Sequence, residues 1–362
     1  MRIAQVAPLA ESVPPQLYGG TERIVSYLTE ELVRAGHEVT LFASGDSETT
    51  AELVAVTERA LRLDPDVMDP LAHSMVLLER VAAVEDRFDV VHFHFDHTQY
   101  GYMRRLDVPS VATMHGRMDL PELVPLFDEY AEIPLVSISD AQREPLPNLN
   151  WLATVYHGLP MEQIRAYSEP GSYLAFLGRI SPEKRLDRAI EIAHRSGLPL
   201  KVAAKVDDVD RDYFEAEIKP LITAEVEFVG EIGEEAKDDF LGHAAALLFP
   251  IDWPEPFGLV MIESAARGTP VVAFRNGSVP EVIDEGVTGV VVDDVDQAVA
   301  AIPDVLALPR TAVREAAVRR FSAERMARDY VSVYSRLIDA VRSEGSTMSA
   351  ATTTSASKGM AD

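Results

Sequence analysis

Short runs of β-branched and aromatic residues alternate along the chain with stretches whose apolar positions recur every three or four residues. Ile3–Ala7 reads as a strand. Thr21–Ala35 reads as a helix, because Ile24, Leu28 and Leu32 fall four apart on one face. Gly36 stands where a helix ends in a left-handed residue, and His37–Ala43 is predicted as the next strand. Together these make a strand–helix–strand unit. Val90–His94, Ser110–Met114, Leu135–Ser139 and Thr154–Tyr156 are further predicted strands.

A polar, turn-prone stretch, Ser168–Ser172, marks a domain boundary. A second series of strands follows it: Tyr173–Leu177, Leu200–Ala204, Val226–Val229, Ala246–Phe249, Pro270–Phe274 and Thr288–Val292. Strand–helix alternation implies parallel sheets covered on both faces. The pattern therefore predicts an α/β chain with two Rossmann-like domains, residues 1–167 and 172–343, and a cleft between them. A last helix over Ser322–Val341 lines up Met326, Tyr330, Val333, Tyr334 and Leu337, a face that fits packing back on the first domain. Residues 344–362 are rich in Ser, Thr, Ala and Gly and are predicted to be a disordered tail.

Composition narrows the chemistry. The 362 residues include no cysteine, which excludes disulfides, thiolate metal sites and cysteine nucleophiles. The net charge of −26 argues against nucleic acid, whose phosphates need cationic partners. The first lysine is Lys184, so the acidic first half is a poor match for an anionic membrane surface. Met1–Val6 runs straight into a strand without the apolar core of a signal peptide, and no apolar run is long enough to span a bilayer. A cytoplasmic location is the resulting expectation.

Three segments of the second half carry candidate chemistry. In Leu177–Arg185, Arg179 and Lys184 place two cations at a strand end, where ligands bind in such sheets. A guanidinium fork and an ammonium suit a diphosphate; a solvated basic turn is the alternative. In Pro254–Glu263, Glu255 precedes a proline and is held extended, and Pro256 is predicted at the first helical position. The helix then runs to about Arg267, with Gly268 closing it. The Gly258 and Leu259 N–H groups at its start favour an anion. Glu263, about two turns in among apolar and small residues, needs a partner, either sugar hydroxyls or a nearby arginine. Phe274–Glu281 is a glycine turn that shapes the cleft wall.

In the first half, Tyr18-Gly19-Gly20-Thr21 follows the first strand and permits close backbone approach, without matching a nicotinamide fingerprint. His115 ends a strand. His92–His97 reads HxHxDH, a spacing that zinc hydrolases use, so metal-assisted hydrolysis is an alternative reading. Asp64-Pro65-Asp66 and Asp208-Val209-Asp210 are Asp-x-Asp triplets in acidic surroundings and read as solvated surface.

Arg179 with Lys184, Glu255 with Glu263 inside EPFGLVMIE, and GSVPEVIDEGVTGVVV resemble glycosyltransferase family 4. YGGTERIV, FDVVHFH, His115-Gly116, SISDAQR and the Phe-Ser…Tyr…Tyr pattern of the last helix extend the resemblance over nearly the whole chain. It implies the GT-B fold and a retaining hexosyl transfer from a nucleoside diphosphate sugar, UDP- or GDP-linked, to a hydroxyl acceptor, with neither cofactor nor metal. By the same resemblance, Arg179 and Lys184 neutralise the diphosphate, and Gly258 and Leu259 offer it backbone N–H groups. Glu255 orients the sugar, Glu263 holds the ribose, and His115 lies beside the transferred sugar. Gly19 and Gly20 face donor and acceptor, and Ile232 borders the base. Relatives often carry a glycine where this chain has Ala204-Lys205, which puts a cation, Lys205, near the donor. A nucleotide-sugar epimerase, a phosphorylase and a non-enzymatic sugar-binding protein are the remaining alternatives.

Overall fold

The computed structural model describes residues 1–16, 19–95 and 97–356, with side chains to Ser343. Seven strands form the first sheet: β1 (Arg2–Val6), β2 (Glu38–Ser44), β3 (Glu52–Thr57), β4 (Val90–Phe93), β5 (Ser110–Thr113), β6 (Leu135–Ser137) and β7 (Trp151–Thr154). Their order is β3-β2-β1-β4-β5-β6-β7, and every pairing is parallel. Six strands form the second: β8 (Tyr173–Arg179), β9 (Leu200–Lys205), β10 (Val226–Gly230), β11 (Ala244–Phe249), β12 (Val271–Phe274) and β13 (Gly289–Val292). They run β10-β9-β8-β11-β12-β13, again all parallel. Each sheet reverses its strand order once, at β1/β4 and at β8/β11. Such switch points open a crevice at the carboxyl ends of the strands.

The central strands are apolar because helices cover both of their faces. All six residues of β11 are buried. One cluster around Leu174, Val202 and Leu248 fills one side of the second sheet, and another around Leu247, Met261 and Phe257 fills the other. The last helix, Ala323–Ala356, lies on the first sheet: Met326, Tyr330, Val333 and Tyr334 share a buried cluster with Ile3, Ile24 and Leu28.

The chain crosses between the units twice, side by side. Leu159 N–H donates to Phe321 O at 2.8 Å on the way out, and Ala323 N–H donates to Leu159 O at 2.8 Å on the way back. Gly158 makes this approach possible, since a Cβ there would lie 2.4 Å from Ser322 O. Met161 already packs in the second unit's core, and Tyr167 N–H donates to Arg267 O at 3.0 Å. The crossing therefore precedes the boundary drawn at 167.

Other elements also depart from the sequence reading. β3 and the helix Pro70–Ala82 are additional elements; β3 is an edge strand of half-exposed residues, which blurs its periodicity. β7 is Trp151–Thr154 rather than Thr154–Tyr156, held in register by Leu135 pairing with Trp151. The last helix runs on to Ala356, so residues 344–356 of the tail predicted as disordered are helical, and residues 357–362 lie outside the described structure.

Candidate active site

A cavity of about 500 Å³ lies between the two units, at the carboxyl ends of β8, β9 and β11. Gly19, Gly20 and His115 line it from the first unit. Arg179, Lys184, Lys205, Ile232, Glu255, Gly258, Leu259 and Glu263 line it from the second. Every residue that the resemblance assigns to the donor or the transferred sugar therefore lines one space.

Arg179 and Lys205 sit at strand ends and Lys184 in the turn Pro182–Lys184 that follows β8, and all three are matched by carboxylates. Arg179 closes β8; its Nη2 lies 2.9 Å from Glu183, and its Nη1 lies 3.8 Å from Asp207. Its Nε is enclosed with no hydrogen-bond partner. Lys205, at the end of β9, pairs with the same Asp207 at 2.9 Å. Lys184 Nζ is 2.5 Å from Glu255 Oε2 and stands 4.9 Å from the centre of the Trp253 ring. Trp253 Nε1 donates to the same Glu255 oxygen at 3.1 Å. The glycine turn of the third segment supports this arrangement: Ser278 N–H donates to Glu255 O at 2.9 Å, and Gly277 packs against the Glu255 backbone. Glu281 then ties the units together by accepting the Asp140 and Ala141 N–H groups, each at 2.7 Å.

The helix behind Glu255 is Leu259–Ala266, so Pro256 is not its first residue. Gly258 caps it in the left-handed region, with φ 77°, and the chain turns sharply before the helix begins. Hence Glu263 lies about one turn in, not two. The N–H groups of Gly258, Leu259 and Val260 have no acceptor within the helix, and all three residues line the cavity. Glu263 is buried, and its partner is a lysine: Lys237 Nζ is 2.7 Å from Oε1. Burial alone would raise the Glu263 carboxyl, but the Lys237 ammonium, aided by Arg23 and Arg267, holds it below the usual carboxylate value. Lys237 also meets Glu234 at 3.1 Å, and Glu234 reaches across the cleft to Arg23 at 2.7 Å.

On the first unit's wall, Gly19 packs against Pro15, where a Cβ would lie 2.7 Å from the ring. Gly20 opens the helix Gly20–Arg34. Tyr18 lies outside the described residues. His115 stacks on His157 with centroids 5.4 Å apart, and its Nε2 is 3.1 Å from His94 Nδ1. Burial pushes the His115 imidazole down to about 3, so the ring is neutral.

The zinc reading of His92–His97 does not fit this geometry. Both His92 nitrogens are engaged, Nδ1 with Tyr334 Oη at 2.6 Å and Nε2 with Thr113 Oγ1 at 2.7 Å, and His97 points to solvent. Asp96 lies outside the described residues. Among the described residues, no three His, Asp or Glu side chains are grouped to hold a metal ion. The two Asp-x-Asp triplets lie away from the cavity, with Asp64 paired to Arg59 and Asp208 to Arg211.

Sequence reasoning missed Lys237, Trp253, Arg23 and His157, which all line the cavity. Trp253 adjoins a recognised segment and carried a signal in its position. Arg23 lies inside the YGGTERIV segment, but its pairing with Glu234, like that of Lys237 with Glu263, joins positions distant in sequence and left no local signal.

Two Rossmann-like units facing each other across a ligand-sized cleft, with cations and a helix start on one wall, define the GT-B class. The model for Glycosyltransferase Family 4 matches residues 18–153, and the model for Glycosyl transferases group 1 matches residues 162–320. The chain is 26% identical to glycogen synthase of Mycobacterium tuberculosis, over 88% of this chain and 89% of the relative. It is 27% identical to a phosphatidyl-myo-inositol mannosyltransferase of Mycolicibacterium smegmatis, over 84% and 85%. Among solved structures, AviGT4, a glycosyltransferase involved in avilamycin A biosynthesis, superposes with a TM-score of 0.71 at 26% identity, covering 94% of this chain and 98% of that one. HepE of Anabaena in complex with UDP shares the fold, with a TM-score of 0.69 at 17% identity over 93% and 100%. The chain belongs to glycosyltransferase family 4, and it is a glycosyltransferase. Among the described residues, no helix is long and apolar enough to cross a membrane.

Proposed function

We propose that this enzyme transfers a hexose, with retention and without a metal ion, from a UDP- or GDP-sugar to a hydroxyl acceptor. The observation that carries the reading is convergence: Arg179, Lys184 and the start of the helix Leu259–Ala266 face one cavity, with His115 and Gly20 opposite. As the bond from the sugar C1 to the phosphate oxygen breaks, negative charge gathers on the departing diphosphate. Arg179, Lys184 and the Gly258 and Leu259 N–H groups stabilise that charge, each by about 3 kcal/mol of barrier. The acceptor oxygen bonds C1 on the face the diphosphate leaves, and its proton passes to the departing phosphate oxygen. Glu255 is assigned to orienting the sugar and Glu263 to holding the ribose. Lys205 and Ile232 are assigned to the nucleoside end. The paired cations supply the charge that a metal ion provides in other transferases. HepE's complex with UDP and glucose supports a nucleotide-sugar donor by analogy of fold.

The test is a donor screen. Thermal shifts with UDP, GDP, ADP and TDP identify the base, because ligands of the native state raise its stability. The matching sugar donor is then offered to hydroxyl acceptors in excess chelator. Proton NMR of the product is expected to show the donor's anomeric configuration. Inverted product, or turnover abolished by the chelator and restored by a divalent ion, would overturn the reading.

A further inference from the structure

Behind His115 runs a continuous chain of buried polar groups. His115 Nε2 meets His94 Nδ1 at 3.1 Å, and His94 Nε2 meets Gln5 Oε1 at 2.6 Å. Gln5 Nε2 donates to Tyr334 Oη at 3.0 Å, and Tyr334 Oη meets His92 Nδ1 at 2.6 Å. His92 Nε2 meets Thr113 Oγ1 at 2.7 Å, and Thr113 meets Tyr330 Oη at 2.9 Å. Gln5, His92, His94, Thr113, Tyr330 and Tyr334 are all sealed from solvent.

Each imidazole in the chain is neutral, because burial disfavours its charged form. A neutral imidazole donates from one nitrogen and accepts at the other. The protons must therefore all point one way, and only two patterns are consistent. The Gln5 amide selects between them. Its oxygen faces His94, so His94 carries its proton on Nε2 and presents a bare Nδ1. His115 must then carry its own proton on Nε2. The remaining His115 nitrogen, Nδ1, is an acceptor, and it is enclosed with no hydrogen-bond partner. It ends the chain on a residue that lines the cavity.

We propose that Gln5, His94 and Tyr334 are positioning residues that lock His115 in the Nε2–H tautomer, so that it meets the transferred sugar as a hydrogen-bond acceptor. The sugar group it selects is a free hydroxyl that donates to Nδ1. This inference rests on the placement of His115 beside the sugar. Tyr334 belongs to the last helix, so that helix reaches the site through a tautomer rather than through a contact.

The experiment uses the full chain with 15N-labelled histidine, and a Tyr334→Phe variant that keeps the ring and removes the hydroxyl. Two-bond couplings are expected to show His115 and His94 of the native protein as single Nε2–H tautomers. In Tyr334→Phe the Gln5 amide loses its acceptor and is free to invert, so His115 is expected to show both tautomers. Turnover of the sugar donor is expected to fall about tenfold, the worth of one hydrogen bond, with nucleoside diphosphate affinity unchanged. Tyr330→Phe is the control, because it removes an equally buried hydroxyl beyond the amide and leaves the tautomer in place. If Tyr334→Phe does not fold, Gln5→Met serves the same purpose. A proton on His115 Nδ1 in the native protein, or an unchanged tautomer in Tyr334→Phe, overturns the proposal. The couplings read the chain of protons even if no donor is turned over, so failure of the transfer reading is distinguishable from failure of this one.

Discussion

The Lys184 ammonium lies 2.5 Å from Glu255 Oε2, joining the two segments that the sequence holds 71 residues apart. The same carboxylate oxygen accepts from Trp253. A diphosphate entering the cleft competes with Glu255 for Lys184. Removing the carboxylate's charge while keeping its shape, as in Glu255→Gln, is therefore expected to tighten nucleoside diphosphate binding and to lower sugar turnover. Lys184→Met is expected to weaken binding and to lower kcat/KM about a hundredfold or more. Calorimetry and initial rates separate the two. Weaker nucleotide binding in Glu255→Gln would show that the pair is structural only.

Gly277 has φ 52°, and a Cβ on it would lie 2.4 Å from Glu255 O and 2.5 Å from Glu255 N. These are backbone atoms, so no side-chain rotation relieves the clash. Gly277→Ala is expected to cost about 1–3 kcal/mol of stability. Its effect on sugar turnover is expected to be larger than that, because the strain falls on the residue assigned to orient the sugar. Thermal unfolding and kcat, measured on one preparation, check this. Turnover unaffected at native stability would remove Glu255 from that role.

Much of this arrangement was legible because its signals are local. The six buried residues of β11 and the apolar spacing on the helix Gly20–Arg34 are written within single turns or strands. The short range from Glu255 to Glu263 carries its own punctuation. What was misread depends on one dihedral: the left-handed Gly258 delays the helix to Leu259, and a proline two residues earlier looked like the better start. What was invisible depends on pairs distant in sequence. Lys237 meets Glu263 26 residues away, and Gln5 meets Tyr334 329 residues away. The HxHxDH spacing resembled a metal site because alternate strand positions do place two imidazoles together. Here they serve a hydrogen-bond chain inside one unit.

Arg23 and Glu234 form an ion pair of 2.7 Å between the first helix and the second unit. The Arg23 side chain is only 7% exposed, whereas that of Glu234 is 39% exposed. Burial alone would lower the Arg23 guanidinium, but Glu234 raises it, so the charge is retained. Glu234→Ala removes this ion pair and leaves the Arg23 cation with Tyr27 and the more distant Glu263 charge, at a cost of about 1 kcal/mol, less than for a fully buried pair. Opening of the cleft relieves the cost. The variant is expected to show a larger radius of gyration in solution scattering and a raised donor KM. An unchanged radius would mean that other contacts, such as Glu281 with the Asp140 and Ala141 N–H groups, hold the units shut by themselves.

Four buried imidazoles make stability depend on pH in a defined direction. His92, His94, His115 and His157 are all held below 6.5, chiefly by burial, with His115 pushed down to about 3. Unfolding returns each to its ordinary value, so below 6.5 the unfolded chain binds more protons than the folded one. Stability is therefore complete above 6.5 and is lost as the pH falls toward 3, by about 1.4 kcal/mol per unit for each histidine. The paired carboxylates act in the same direction, but later. Asp187 is held below 3.8: burial opposes this, but its hydrogen bond and charge pairing with Arg185 outweigh it, so its contribution fades only under more acid conditions. Calorimetric midpoints are thus expected to drop between about pH 6.5 and pH 5, above the range in which Asp187 protonates. The drop should shrink in His157→Phe, whose ring can still stack on His115 and meet Phe257 but takes up no proton. A midpoint that stays level across that interval would mean that these imidazoles gain compensating partners when charged. It would also remove the requirement that the chain behind His115 is neutral.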